Sequence, residues 1–233
     1  MKEYPYVWHG FGIRSARREG RGTQMLRWYL AQSGSYLRTL LLPLGMSALL
    51  LLLVPIWFPI PELSASLSAI PLERLVSLLG IFLLAPAFWL GKPECSTGEK
   101  PPHLVAESLL RIVWSCCGLA GWIGIFCLGM EQSGCQISIL HWVGTLVDAC
   151  FLGALGILAG IIGGNRIIGC GIPSLYYLLN MILGENYFGK FDLFSMTRES
   201  YHEKIWLAAA AILFLIVAVQ LRTFLWKIRG ACF

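Results

Sequence analysis

Charged residues are scarce in this sequence of 233 residues, and their scarcity excludes a soluble globular domain. Only 13% of the residues are Asp, Glu, Lys or Arg, whereas a soluble domain contains about 25%. Hydrophobic residues make up 57% of the chain, and the mean hydropathy is +0.68. Because a single core of this size cannot hide so many apolar side chains, we expect lipid to surround much of the chain.

The sequence also lacks the motifs of common intramembrane enzymes and nucleotide sites. It has no H-E-x-x-H, no G-x-S-x-G and no C-x-x-C, and its glycine-rich stretch GGNRIIGCGIP lacks the G-K-[ST] ending of a P-loop. Glu107 and Arg111 are spaced for an ion pair one helical turn apart. Ala106 stands where an intramembrane CAAX-type protease would need a second Glu. The sequence therefore predicts no catalytic, metal or cofactor site in this chain.

Apolar runs of about 20 residues, the length needed to cross a bilayer as a helix, recur along the sequence. Six runs meet or approach this length: Thr39–Phe58, Leu75–Leu90, Ile112–Met130, Ile137–Gly164, Ile167–Gly184 and Ile205–Leu221. They are continuously apolar, which favours helices over barrel strands. We predict an all-α integral membrane protein with one transmembrane domain over residues 1–233. Residues 39–221 form a bundle of about six spans between an N-terminal region, 1–38, and a C-terminal tail, 222–233.

The distribution of Lys and Arg predicts the orientation of these spans. Basic residues are concentrated before the first span and after the last one, which favours cytoplasmic termini. The chain is therefore expected in the plasma membrane of a bacterium, with lipid rather than nucleic acid as its surroundings. Pro59–Pro71, Glu131–Gln136 and Glu185–Lys204 are predicted to face outside. Cys135 would then be the one thiol on that side, so no disulfide framework is expected.

Glycines are dense near the end of the fourth predicted span. Gly163, Gly164, Asn165 and Arg166 separate two apolar runs and predict a tight cytoplasmic hairpin. Gly156, Gly160 and Gly164 recur at every fourth position, which places them on one helix face. Such stripes of small residues allow close helix packing in lipid, either within this chain or across a dimer.

Two polar residues interrupt the fourth span. Asp148 follows His141 by seven residues, or two helical turns, so both are predicted to lie on one face. An ionisable group within a span faces a pathway or a polar partner. One alternative is a proton relay, a metal site or a substrate contact. The other is a buried polar pair, or an aspartate neutralised by protonation and hydrogen-bonded to a neighbouring helix, with His141 at the outer interface rather than in the core.

Three other segments are too polar to span a membrane. Thr23–Leu37 carries an apolar stripe, and its aromatic residues Trp28 and Tyr29 favour the headgroup layer, which predicts an interfacial helix. Lys92–His103 is a polar cytoplasmic loop before a helix that begins at Leu104. Glu185–Lys204 mixes aromatic and charged residues, and is a candidate re-entrant helical segment between the fifth and sixth spans.

This layout resembles the permease subunits of ABC-transporter type-2 exporters, most specifically over residues 143–221. There a glycine-rich helix, the GGNR turn, a proline-containing span and the YFGKFDLFS excursion follow in the family's order. The resemblance implies a separate ATPase subunit that binds ATP and magnesium, and a second permease chain, identical or homologous. It also implies coupling to that ATPase through the region after the second span: Lys92, Glu94, Glu99, Lys100, Glu107 and Arg111. A lipid, peptide or antibiotic would be the cargo; a membrane scaffold or immunity protein is the alternative, followed by an intramembrane enzyme.

Overall fold

A computed structural model describes residues 65–89, 104–132 and 134–230, and every regular element in these ranges is helical. The α-helices are α1 (Ala65–Arg74), α2 (Leu79–Trp89), α3 (Leu104–Gln132), α4 (Ile139–Gly163), α5 (Arg166–Leu183), α6 (Glu185–Phe188) and α7 (His202–Gly230). Short 3-10 turns cover Val76–Leu78, Gly189–Phe191 and Met196–Arg198. The prediction of helices rather than strands is confirmed for this part of the chain.

Among the described residues, four helical stretches are long and apolar enough to cross a membrane: Leu67–Leu84, Ile112–Gln132, Ile139–Gly163 and His202–Leu225. They make the chain consistent with a multi-pass membrane protein. The apolar part of α5, Ile167–Leu183, is shorter than these four. The predicted first span, Thr39–Phe58, and the predicted interfacial helix, Thr23–Leu37, lie outside the described residues.

The run Leu75–Leu90 was short for a span and was expected to extend into its flanks. The described helical segment starts at Ala65 and passes through a turn at Leu75 into α2. Glu73 and Arg74 stand just before this run in the sequence. In the structure only Arg74 is exposed, whereas Glu73 is fully buried. A charged residue next to an apolar run was therefore an interior residue with partners, not the end of the helix.

The helix α4 is the centre of the described structure and contacts α1, α2, α3, α5 and α7. Its apolar stretch is 61% buried, compared with 28% for that of α7, so α7 presents much more surface to its surroundings. The crossing of α2 and α4 is close because it is made at glycines. A Cβ on Gly80 would overlap the carbonyl of Ala149, and a Cβ on Gly153 would lie 2.8 Å from the carbonyl oxygen of Gly80. Small residues thus set the distance between these two helices.

The predicted hairpin between the fourth and fifth spans is confirmed as a turn. α4 ends at Gly163 and is followed by Gly164, whose φ of 62° lies in the left-handed region that glycine adopts without strain. The side chain of Asn165 then caps α5 by accepting a hydrogen bond of 3.0 Å from the backbone N–H of Ile167. In the predicted stripe, Gly156 and Gly160 are buried, whereas Gly164 is exposed at the turn.

The last helix is longer than the apolar run that predicted it. α7 begins at His202 and continues to Gly230, past the predicted end at Leu221. Lys204, expected to face outside, is therefore in the first turn of α7, and it is buried. At the other end, the guanidinium of Arg222 donates a 3.0 Å hydrogen bond to the hydroxyl of Ser108 near the start of α3.

Candidate functional site

Lys204 is the centre of a group of buried charges. Its Nζ lies 2.9 and 2.7 Å from the two carboxylate oxygens of Asp148 in α4, and 3.1 Å from Oε1 of Glu73 in α1. It also donates a hydrogen bond to the backbone carbonyl of Leu193. The three N–H groups of the ammonium therefore meet three acceptor groups on three separate parts of the chain. We call Glu73, Asp148 and Lys204 the ion cluster.

The carboxylate of Glu73 receives two backbone donors in addition to Lys204. The N–H of Met196 lies 2.7 Å from Oε1, and the N–H of Thr197 lies 3.3 Å from Oε2. Both belong to the start of a 3-10 turn, where backbone N–H groups have no partner within the turn. Glu73 thus accepts hydrogen bonds from two backbone N–H groups that would otherwise be buried without an acceptor.

The ion cluster is almost completely excluded from solvent. Glu73 and Asp148 have no exposed surface, and Lys204 is 5% exposed. Burying a charge is costly unless it is paired and hydrogen-bonded, and removal of one partner from such a pair costs about 3–5 kcal/mol. Each member of the cluster consequently depends on the other two, so the elements that carry them are held at fixed distances.

The chain between α5 and α7, residues 184–201, is the other half of the site, and we call it the connecting segment. It folds back along α5 instead of leaving the helices. The hydroxyl of Tyr176 donates a 2.7 Å bond to the carbonyl of Phe191, and Oδ1 of Asn180 accepts a 3.1 Å bond from the N–H of Leu193. Asn180 and Leu193 are both fully buried.

The middle of the connecting segment is packed into the helices by its side chains. Met196 is fully buried and fills the space beside Gly144 of α4, where a Cβ would overlap its sulfur. Asp192 forms an ion pair with Arg198 and accepts a 3.1 Å bond from the N–H of Phe194. Burial raises the pKa of Asp192 above the usual value of an aspartate. The segment is therefore bonded internally as well as to its neighbours.

His141 lies at the first turn of α4, close to this site. Its Nδ1 accepts a 3.2 Å bond from the N–H of Ser138 and lies 2.7 Å from the Ser138 hydroxyl, and its ring is edge-on to that of Tyr201. The two residues line an open depression of about 690 Å³ together with Glu131 and Glu199. The depression joins the α3–α4 connection to the end of the connecting segment, so both lie at one end of the helices.

Cys135 is in this region too, and it is not the accessible thiol that the sequence suggested. The residue is 5% exposed, and burial raises the pKa of its thiol. Both effects oppose reaction with a water-soluble reagent, since the thiolate is the reactive species.

The predicted pair Asp148 and His141 separates into two environments. Both are buried on α4, but Asp148 is bonded to Lys204, whereas His141 is bonded to Ser138 at the helix start. Asp148 is thus bonded to a neighbouring helix, through a lysine that the sequence did not indicate as its partner. Within the described residues, no group of three His, Cys, Asp or Glu side chains could hold a metal ion.

The predicted coupling residues fall mostly beyond the described structure. Lys92, Glu94, Glu99 and Lys100 lie outside the described residues. α3 begins at Leu104, as predicted, and contains the positions of Glu107 and Arg111 in its first turns.

Sequence reasoning missed two of the three members of the ion cluster. Glu73 stands two residues before the predicted span that starts at Leu75, and Lys204 stands one residue before the span that starts at Ile205. Lys204 was predicted to face outside, and Glu73 was not singled out. One signal was present: two residues of opposite charge flank two spans, and a third span contains an acidic residue that needs a partner.

Comparisons with protein-family models, curated proteins and solved structures find no match to this chain.

Proposed function

We propose that this chain is the transmembrane permease subunit of an ATP-driven ABC exporter of the type-2 class. The observation that supports the proposal best is the connecting segment, a helical excursion between the last two long helices that is anchored on buried charges of the bundle. The family resembled by the sequence has such an excursion between its fifth and sixth spans. The cargo would be hydrophobic or amphipathic: a lipid, a peptide or an antibiotic.

In this proposal, the chain supplies the pathway, and a partner supplies the energy. A cytoplasmic ABC ATPase would bind ATP and magnesium, and two permease chains would enclose the pathway in the plasma membrane with all termini cytoplasmic. Closure of the ATPase would push on Lys92–His103, the connection that leads into α3. The Arg222–Ser108 hydrogen bond supports a mechanical role for this end of the bundle, because it joins the start of α3 to α7.

The test is association with an ABC ATPase. The chain would be tagged, co-expressed with the ABC ATPase encoded nearest to its gene, extracted in mild detergent and purified. We expect the ATPase to co-purify in a fixed ratio, and an unrelated multi-pass protein with the same tag to retain none. Purification of the folded chain without any ABC ATPase would contradict the proposal.

A further inference from the structure

The connecting segment is bonded to three helices, α1, α5 and α7, at separate points along its length. Phe191 and Leu193 are bonded to α5, Leu193 is also bonded to Lys204 of α7, and the N–H groups of Met196 and Thr197 are bonded to Glu73 of α1. Met196 adds a packing contact with α4 at Gly144. To lift the segment away from the helices, all of these contacts would have to break together.

The ion cluster makes such a separation especially unfavourable. Movement of α7 away from α4 or α1 would part Lys204 from Asp148 or Glu73, and would leave a charge without its partner in surroundings that exclude water. The backbone donors of the 3-10 turn would lose their acceptor in the same movement. α1, α4, α7 and the 3-10 turn Met196–Arg198 are therefore joined at one point. A state in which only some of these contacts are broken would be unfavourable.

α7 extends from this junction to the other end of the bundle. It is a continuous helix without proline, and Lys204 and Arg222 are 18 residues apart, about 27 Å at the helical rise. Arg222 is bonded to Ser108 of α3. A displacement at the start of α3 can thus be transmitted to the connecting segment through one continuous helix, α7.

We propose that the ion cluster is a permanent clamp, through which the connecting segment moves as one body with α1, α7 and the adjoining part of α4. Lys204 is the positioning residue of this clamp. The inference rests on the proposed function in one respect, the conformational cycle that would drive the motion. The alternative is a segment that separates from the helices to open a passage at that end.

The first test does not require a transport activity. Hydrogen–deuterium exchange would be measured on the chain in detergent at the amides of Leu193, Met196 and Thr197. We expect slow exchange in the unsubstituted protein, and an increase of about a hundredfold or more in Lys204→Met, the factor that follows from loss of one partner of a buried ion pair. Lys204→Arg, which keeps the charge, should recover part of the protection. Lys190→Met, at an exposed lysine that contacts the Trp206 ring, should raise exchange by about fivefold at most. Exchange in the unsubstituted protein as fast as in an unstructured peptide would overturn the clamp, even if Lys204→Met does not fold.

The second test locks the segment to α4. A Cβ on Gly144 would lie 3.4 Å from Cγ of Met196, so Gly144→Cys with Met196→Cys, with the native cysteines replaced, places two thiols within disulfide reach. With the ATPase bound, we expect the oxidised and reduced forms to support the same rate of ATP-driven cargo transport. Transport that stops on oxidation and returns on reduction would overturn the clamp while leaving the proposed function intact. If no ATPase binds at all, the proposed function fails, and the exchange measurement still decides on the clamp.

Discussion

Nζ of Lys204 lies 2.7 Å from Oδ2 of Asp148, although 56 residues separate them in the sequence. The contact joins the first turn of α7 to the middle of α4. Because both side chains are buried, each supplies the counter-charge that the other needs. The contribution of this buried contact to the free energy of unfolding can be measured.

Replacement of Lys204 should strongly destabilise the folded chain. Lys204→Met leaves two carboxylates buried without their common partner, and we expect a loss of about 3–5 kcal/mol in the free energy of unfolding. Combination with Asp148→Asn should cost less than the sum of the two single changes, because it also removes a carboxylate that was left alone. Denaturant unfolding in detergent gives the three values.

The matched control for the substitution of Lys204 is Lys190. It is an exposed lysine whose Nζ lies 4.7 Å from the centre of the Trp206 ring. Lys190→Met should therefore cost at most about 0.5–1 kcal/mol, the range of an exposed cation–π contact. Equal losses at the two lysines would show that Lys204 is not in a buried ion cluster.

The close crossing of α2 and α4 predicts a sharp difference between two glycines. A Cβ on Gly80 would overlap the backbone of Ala149, whereas a Cβ on Gly121 meets no atom within 4 Å. Gly80→Ala should cost about 1–3 kcal/mol through overpacking. Gly121→Ala should be neutral or stabilise by up to about 1 kcal/mol, because alanine favours the helix. Thermal unfolding of the two variants measures this difference. A larger loss of stability in Gly121→Ala than in Gly80→Ala would refute the close crossing of α2 and α4.

The success of sequence reasoning here followed the strength of the local signals. The turn at Gly164 and Asn165 and the helix start at Leu104 were predicted, because glycine conformation, capping and a change of composition act over a few residues. Asp148 was recognised as unusual for the same reason: a carboxylate within an apolar run stands out. Its surroundings, however, depend on which helices pack against α4.

The two members of the ion cluster that the sequence did not reveal are those whose environment is set by tertiary contacts. Glu73 and Lys204 look like the polar ends of spans, and only the folding of the connecting segment onto the helices buries them. The glycines with the closest contacts were missed in the same way. The regular stripe of Gly156 and Gly160 was visible in the sequence, but the overlap at Gly80 depends on the α2–α4 crossing.

The orientation in the membrane can be tested with cysteines placed at exposed positions. Gln136 and Asn186 are exposed at one end of α4 and α5, and Asn165 is exposed in the turn at the other end. In intact cells, a membrane-impermeant thiol reagent should label Gln136→Cys and Asn186→Cys, but should label Asn165→Cys only after permeabilisation. The unsubstituted chain gives the background from its own cysteines. Labelling of Asn165→Cys alone in intact cells would invert the orientation.

The connection between the second and third spans should carry the contact with the ATPase. Reversal of both Glu94 and Glu99 to Lys should weaken ATPase association without affecting membrane insertion, since single surface charge pairs contribute little but reversals add repulsion. The control is the double reversal of Glu131 and Glu199, which are exposed at the opposite end of the bundle. Co-purified ATPase per folded chain is the measured quantity. Equal retention in the two double variants would exclude Lys92–His103 as the coupling site.

ATP hydrolysis in proteoliposomes is the decisive measurement for the proposed permease function. The partner ATPase would be reconstituted with the unsubstituted chain, with the Glu94→Lys, Glu99→Lys variant, or without any permease. We expect hydrolysis that depends on the unsubstituted chain and that is reduced, or uncoupled from cargo transport, in the variant. A hydrolysis rate that is the same with and without this chain would contradict the proposed permease function.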